Sequence, residues 1–374
     1  MNGRLDEFAR RLARRKLDAA LVFGEANIRA LTGVACDSAC LVVKPSHPSQ
    51  PSQPSQPSKP SKPPKLSKPS KPPKLSKPSH LFFYTDFRYV PMVHRVAPEL
   101  KVRDIRRLGK ALPKARRIGY EGLLSHARFL KLQKDFRRVT FVDVQDDLVK
   151  LRSVKTADEI DRLRAAEALN DVIWNEAKAQ FRPGMTEREM ANVIRHLMID
   201  RGECEAFETI VCVGKNAAEC HHVPDDTVWN GREPVLVDMG VKLDGFCSDM
   251  TRNIVPKRPR PIYRQIYDLV LKANLAAIAA AKPGITGRAL DKVARDVIRK
   301  GGFGKCFGHS LGHGVGFEIH EAPTASKRDK TVLRPGMAVT IEPGVYLADN
   351  LGVRIEDLVL ITDTGCEVLS HSEK

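Results

Sequence analysis

The spacing of apolar positions lays out the elements of the chain. Leu5, Phe8 and Leu12 recur at three- to four-residue intervals and predict an amphipathic opening helix. Short apolar runs at 19–23, Ala39–Val43 and Leu81–Thr85 read as strands, and strand and helix patterns alternate to about residue 148. This predicts an α/β domain over residues 1–150. A second domain is expected over 151–374. Its first signal is Thr156-Ala-Asp-Glu159, the spacing of a capping box, ahead of a helical pattern running to about Phe181.

Between the second and third strands the pattern stops. Pro-Ser-Gln triplets fill 48–56, and Lys-Pro-Ser-Lys-Pro-Pro-Lys-Leu-Ser occupies 59–67 and recurs at 68–76. Such a segment has little to bury, and its prolines cannot donate to a sheet. Residues 45–79 are therefore expected to be a disordered, polyproline-leaning insertion in the turn of a hairpin between Val43 and Leu81. A tolerated loop expansion is the simpler reading, since surface loops accept insertions at small cost. A ligand for a proline-reading domain or an anionic surface is the other.

The second domain contains an internal repeat. Arg182-Pro-Gly-Met-Thr-Glu-Arg recurs as Lys282-Pro-Gly-Ile-Thr-Gly-Arg. Thr186 and Thr286 are expected helix N-caps, and the helices that follow are expected to end at Gly202 and Gly301. After each helix comes a strand region with two carboxylates in succession, Asp238 and Asp249 in the first half and Glu342 and Glu356 in the second. A duplication related by a pseudo-two-fold axis would bring the matched acids together at its centre; chance similarity of two helix starts is the alternative.

Asp238 ends the apolar run Val235-Leu-Val, and Asp249 follows in Ser248-Asp-Met-Thr-Arg, with Gly240 and Gly245 between them suited to a tight hairpin turn. Glu342 ends Ala338-Val-Thr-Ile, and Glu356 lies in the alternating stretch 352–356. All four acids are thus expected on strands with buried positions. Buried anions repel one another unless paired as salt bridges or compensated by a cation. His309, His313 and His320 are spread through the glycine-rich stretch that contains Gly308-His-Ser-Leu-Gly-His-Gly-Val-Gly316. That stretch lacks the Lys-Ser/Thr ending of a phosphate-binding loop. One imidazole beside four carboxylates argues for manganese, cobalt, zinc or ferrous iron rather than calcium or magnesium.

Composition changes this picture little. The net charge of +17 raises the question of nucleic acid, but 45–79 alone carries seven lysines and no acid, leaving +10 elsewhere. No helix-turn-helix, zinc-finger or RNA-binding signature accompanies it, so no nucleic-acid partner is expected. There is no run of 18 apolar residues, the first residues are charged, and the eight cysteines form no CxxC pair. A cytoplasmic chain with reduced thiols and no membrane association is expected.

At these residues the second domain resembles the pita-bread metallopeptidases of the aminopeptidase P and prolidase (Xaa-Pro peptidase) family. The strings Val-Asp-Met-Gly, Ser-Asp-Met-Thr-Arg, Gly-His-Gly-Val-Gly-Phe-Glu-Ile-His-Glu-Ala-Pro, Thr-Ile-Glu-Pro-Gly-Val-Tyr and Val-Arg-Ile-Glu-Asp-Leu-Val match its motifs, and the resemblance covers about 151–374. Residues 1–150 are similar, more weakly, to the creatinase-like N-terminal domain of the proline-directed branch.

The resemblance implies an α+β fold with a pita-bread C-terminal domain and a smaller α/β N-terminal domain. It implies Asp238, Asp249, His313, Glu342 and Glu356 as ligands of two divalent ions, manganese first and cobalt or zinc next, with Asp249 and Glu356 bridging. It implies His221 and His320 as substrate-contacting, oxyanion-stabilising groups, Glu342 as proton shuttle, His309 lining the same pocket, and a homodimer. Cys220 stands where the family usually has proline, and His222 is expected at the surface. Arg354 is expected beside the carboxylates, holding them ionised.

The substrate expected is a peptide with proline at its second position, cut at the N-terminal Xaa-Pro bond as in aminopeptidase P. Thr324 stands where small prolidases often carry a basic residue for the C-terminal carboxylate, and that favours aminopeptidase P over a prolidase acting on Xaa-Pro dipeptides. A non-catalytic binding scaffold would be expected to have lost ligands, and a creatinase-like amidinohydrolase uses the fold without metals.

Overall fold

The computed structural model describes residues 3–46 and 81–374. Of the segment expected to be disordered, all but residues 45 and 46 lies outside the described residues. The chain divides into two compact units, Met1–Leu151 and Arg152–Lys374.

In the first unit six strands form one sheet: β1 (Ala19–Val22), β2 (Ala39–Val43), β3 (Leu81–Thr85), β4 (Val102–Asp104), β5 (Arg117–Tyr120) and β6 (Thr140–Asp143). Their order is β4-β3-β2-β1-β5-β6. β2 and β3 pair antiparallel, with Val43 opposite Leu81 as the last pair before the segment 44–80. Alternation sends Ala20 and Val22 into one apolar layer with Leu5, Phe8 and Leu12 of α1 (Gly3–Arg14) and with Ile28 and Leu31 of α2 (Glu25–Thr32). Ala19 and Leu21 enter the opposite layer with Leu132 of a helix over His126–Asp135.

The second unit is built twice over. Each half contributes two helices: α3 (Ala157–Gln180) and α4 (Glu187–Arg201), then α5 (Pro261–Ala280) and α6 (Gly287–Lys300). Thr156 and Thr186 close full capping boxes, Thr286 accepts from the Ala289 amide, and α4 and α6 stop at Gly202 and Gly301.

The repeat extends into the hydrogen bonds that follow. The Glu187 amide donates to Thr227 O as Gly287 does to Thr331 O, and Arg188 donates to Asp225 O as Arg288 does to Asp329 O. α3 and α4 lie over the apolar side of β7 (Ile210–Val213), β8 (Val235–Met239) and β9 (Met250–Ile254). α5 and α6 cover β11 (Ala338–Ile341) and β12 (Asp357–Ile361), in a sheet that also holds β10 (Gly312–Gly314). Each fully buried leucine or isoleucine in these layers contributes about 1.5–3 kcal/mol. Among the described residues no helix is long and apolar enough to cross a membrane.

The functional geometry comes from two hairpins. β8 pairs with β9, Met239 facing Met250 and Asp238 facing Thr251, and between them the chain makes a tight hairpin turning at Asp244-Gly245. Both turn residues have positive φ, 47° and 75°, so the turn needs Gly245 itself, whereas Gly240 serves a close backbone approach to Ser248 O. In the second half Ile341 faces Asp357, and the strands part at the next residues, Glu342 and Glu356. The chain between runs out and back as the hairpin Gly344–Leu347 and Leu351–Arg354.

This corrects the expectation that all four acids lie on strands. Only Asp238 lies within one. Asp249, Glu342 and Glu356 stand just outside strand ends; the amides of Glu342 and Glu356 leave their own ladder for Leu311 O and Thr251 O, whereas Asp249 sits in a gap of a hairpin whose register continues through Ser248 and Val241.

Candidate active site

His313 Nε2 lies 3.5 Å from Asp249 Oδ2 and 3.4 Å from Glu342 Oε1. The ligand atoms of Asp249, His313 and Glu356 all lie within 4.8 Å of one another. The imidazole is oriented from behind. Its Nδ1 makes a 3.1 Å hydrogen bond to Gly314 O, which fixes the tautomer and leaves the Nε2 lone pair facing the acids. The strand can carry His313 there because Gly312 has no side chain: a Cβ would sit 2.0 Å from Thr340 O. Thr340 in turn donates through Oγ1 to Glu342 Oε1, 3.1 Å, and accepts from the His313 amide, 3.1 Å.

The acids are held by a second set of groups. Arg354, 3% exposed, donates from Nη2 to Asp238 Oδ2 at 2.6 Å, from Nε to Thr251 Oγ1 at 3.0 Å and from Nη1 to Tyr346 Oη at 2.9 Å. Thr251 passes the connection on, donating to Glu356 Oε2 at 2.6 Å. Asp249 is fixed through its backbone, whose amide donates to Glu167 Oε2 at 3.0 Å. Burial pushes the Glu167 carboxyl up to about 8.

The electrostatics point to a cation. Burial, and then the charges of Glu356, Asp238 and Glu342, push the Asp249 carboxyl well above the usual carboxylate range. Burial and then Glu342 do the same to Glu356, and burial raises Glu342 to about 8 against the opposing pull of Arg354. One arginine does not compensate four acids. Asp238 Oδ1 is buried with no hydrogen-bond partner, a costly state for a carboxylate oxygen. Four carboxylates, one oriented imidazole and an orphaned buried oxygen fit a site for divalent ions.

The remaining expected residues line the same space, a cavity of about 720 Å³ walled in part by Phe207, Ile210 and Ile319. His221 and His320 are exposed on its wall, and the His320 ring packs 4.4 Å from that of His313. His309 also lines it, with Nε2 3.0 Å from Tyr346 Oη; burial and then the Arg354 charge lower its pKa to about 4, so the ring is neutral.

His222 departs from its expected surface position. Its Nε2 lies 2.7 Å from Glu187 Oε2, and Glu187 is fully buried. Sequence reasoning also passed over Glu167, Thr340 and Tyr346. Thr251, Thr340 and Tyr346 did stand inside the matching motif strings, the one available signal for them.

A buried carboxylate fork closed by one imidazole, in a cavity at the seam of a duplicated α+β unit, defines a metal-dependent hydrolase class. Known proteins narrow it. Residues 161–363 match the family model for metallopeptidase family M24, and 75–154 match that for the creatinase/prolidase N-terminal domain. Over 192 residues the chain is 46% identical to an Xaa-Pro dipeptidase of Pyrococcus furiosus, covering 51% of this chain and 55% of that protein. By that match the chain spans about half the length of its curated relatives.

Two solved structures align over nearly everything. A prolidase from Pyrococcus horikoshii has TM-score 0.86 at 30% identity, covering 100% of this chain and 99% of that one. An X-Pro aminopeptidase from Thermotoga maritima has TM-score 0.81 at 28% identity, covering 97% and 98%. The chain belongs to metallopeptidase family M24, and its second unit has the pita-bread fold.

Proposed function

We propose that this chain is a divalent-metal peptidase that hydrolyses Xaa-Pro dipeptides. The observation that carries the reading is the 46% identity over 192 residues to an Xaa-Pro dipeptidase. It outweighs the absence of a basic residue at Thr324, which had favoured cleavage of longer peptides at an N-terminal Xaa-Pro bond. That second reading keeps one support of its own, the likeness to the X-Pro aminopeptidase of Thermotoga maritima.

In this reading Asp238, Asp249, His313, Glu342 and Glu356 would hold two divalent ions, with Asp249 and Glu356 shared between them. When bound, the ions supply Lewis acidity and a lowered pKa for the attacking water. Glu342 holds Thr340 through Oε1, leaving Oε2 to take a proton and return it to the leaving nitrogen. His221 and His320 donate hydrogen bonds to the oxygen that gains charge as the carbonyl is attacked. Arg354 fixes Asp238 through the 2.6 Å bond from Nη2 to Oδ2. Phe207, Ile210 and Ile319 offer apolar wall against which a proline ring and its neighbour can desolvate.

Manganese is the proposed resident ion, with cobalt or zinc as substitutes. Eight unpaired cysteines support a reducing, cytosolic setting. A homodimer is the proposed assembly.

The deciding experiment loads metal-free protein with manganese, cobalt or zinc and compares an Xaa-Pro dipeptide with an Xaa-Pro-Yaa tripeptide. Dipeptide turnover at least about tenfold the better in kcat/KM supports the dipeptidase reading. The opposite order supports the aminopeptidase reading, and no turnover of either refutes both.

A further inference from the structure

The first half of the second unit contains a buried cluster that the reaction as described does not use. Glu187 is the first residue of α4 and is fully buried. Its Oε1 accepts from the Val213 amide at 2.6 Å and from Asn216 Nδ2 at 2.9 Å. Its Oε2 accepts from the Asp225 amide at 3.1 Å and meets His222 Nε2 at 2.7 Å. One carboxylate thus gathers the end of β7, the turn after it and both ends of the stretch that carries Cys220, His221 and His222.

Glu187, His222 and Asp225 together have the look of a metal site, with ligand atoms within 4.8 Å of one another. The hydrogen bonds argue otherwise. Both Glu187 oxygens are already filled by donors, two of them backbone amides that cannot move without unfolding the turn, and no lone pair is left over for an ion.

The duplicated half shows what the cluster replaces. The backbone bonds at the two helix starts match, Glu187 to Thr227 and Gly287 to Thr331. The side chains do not. At Gly287 there is no room, since a Cβ would lie 2.1 Å from Thr324 O, so the segment after His320 packs directly on the helix start as a strand. In the register that matches Asp225 with Asp329, the counterpart of Thr324 is Cys220. There the chain stands off from the helix, in no strand, and the Glu187 carboxylate fills the gap.

We propose that Glu187 and His222 form a positioning pair that anchors the 213–225 segment to the start of α4 and so sets the His221 imidazole at the cavity wall. His222 is the anchored neighbour of His221 on the same short stretch. Holding one ring 2.7 Å from a buried carboxylate restricts where the next can point. Glu187 does not line the cavity; His222 borders it, but its Nε2 is engaged by Glu187, so the pair acts through position. The inference rests on the proposed role of His221 in turnover, but its structural half can be judged without it.

The test uses the full-length, metal-loaded protein with Glu187→Gln, His222→Gln and His221→Ala, singly and with Glu187→Gln combined with His221→Ala. Four readouts are taken: bound metal by elemental analysis, amide exchange at Val213 and Asp225, the imidazole NMR signal of His221, and kcat and KM on an Xaa-Pro dipeptide. Each pair variant should keep its metal, and Glu187→Gln should speed exchange at Val213 and Asp225 about tenfold or more while leaving the rest of α4 unchanged. The His221 signal should shift in both, and kcat should fall about tenfold with KM changing less. In the His221→Ala background, Glu187→Gln should cost little more, because both act through one group.

An unshifted His221 signal, unchanged exchange, or losses that multiply independently of His221 would overturn the proposal. So would a bound metal equivalent that Glu187→Gln removes. If the wild type fails to cleave the dipeptide, the functional reading fails, and exchange and the imidazole signal still decide for or against the pair.

Discussion

Arg354 offers a worked measure of how the acid cluster is held. Replacing it with methionine keeps an apolar stem and removes three donors. Its three donor nitrogens make four bonds, to Asp238 at 2.6 Å, Thr251 at 3.0 Å, Tyr346 at 2.9 Å and, long at 3.5 Å, Cys220 O; all are charge-assisted, because the guanidinium is ionised. Desolvation of the buried guanidinium offsets much of their gross worth, and removing one partner of a buried ion pair costs roughly 3–5 kcal/mol. Arg354→Met should therefore destabilise the metal-free second unit by about 3–5 kcal/mol.

Both tryptophans, Trp174 and Trp229, lie in that unit, so intrinsic fluorescence in a urea titration reports on it alone. With a slope near 3 kcal/mol per molar, the midpoint should drop by roughly 1–2 M. Repeated with manganese bound, the drop should shrink, because the ions then compensate Asp238. A metal-free loss below about 1 kcal/mol, or a larger loss with metal than without, would refute the view that Arg354 serves as the internal counter-charge of the acids.

Other outcomes follow from the same geometry. His313→Ala should lose metal by elemental analysis, whereas His221→Ala and His320→Ala should keep it while turnover falls about 100- to 1000-fold; if His320→Ala loses an ion and His313→Ala does not, the two roles are reversed. Gly287→Ala should cost at least about 1–3 kcal/mol in a denaturant titration, since its Cβ would meet Thr324 O at 2.1 Å with backbone on both sides.

For His222, burial lowers the pKa, but the bonds and charges of Glu187, and then of Glu219 and Asp225, outweigh it and leave it above the ordinary 6.5. The stabilisation is thus fully present below pH 6.5 and fades as pH rises through the raised value. Melting curves at pH 6 and pH 8 should show a decline, to which the raised Glu167 and Glu342 carboxyls also contribute, that His222→Gln makes smaller, and an unchanged pH dependence in that variant would count against the pair.

The sequence exposed the donors better than their surroundings. Asp238, Glu342 and Glu356 are legible because each follows an apolar or alternating run, and His313 because glycines crowd around it. The helix starts at Thr156, Thr186 and Thr286 are legible because capping is a local affair. Contacts across the chain leave no such trace. Glu167 reaches Asp249 over 82 positions and Arg354 reaches Asp238 over 116, with no periodicity to join them. Glu187 stands in the repeat with no local sign of a partner, and His222 reads as a surface residue beside His221, although the fold closes between them. The strand ends were misjudged for a related reason: alternation continues through Glu356, while pairing stops where the backbones fork.

The imidazole breaks the symmetry of the duplication. Each half brings two acids to the seam, but the strand that corresponds to β10, namely β7 with Ile210-Val-Cys-Val, carries no histidine. A site assembled from two first halves would offer oxygen alone, the ligand set of calcium or magnesium. A nitrogen from one half only makes the halves non-interchangeable, so a swap of β10 for β7 would remove the one donor suited to borderline ions while leaving every acid in place.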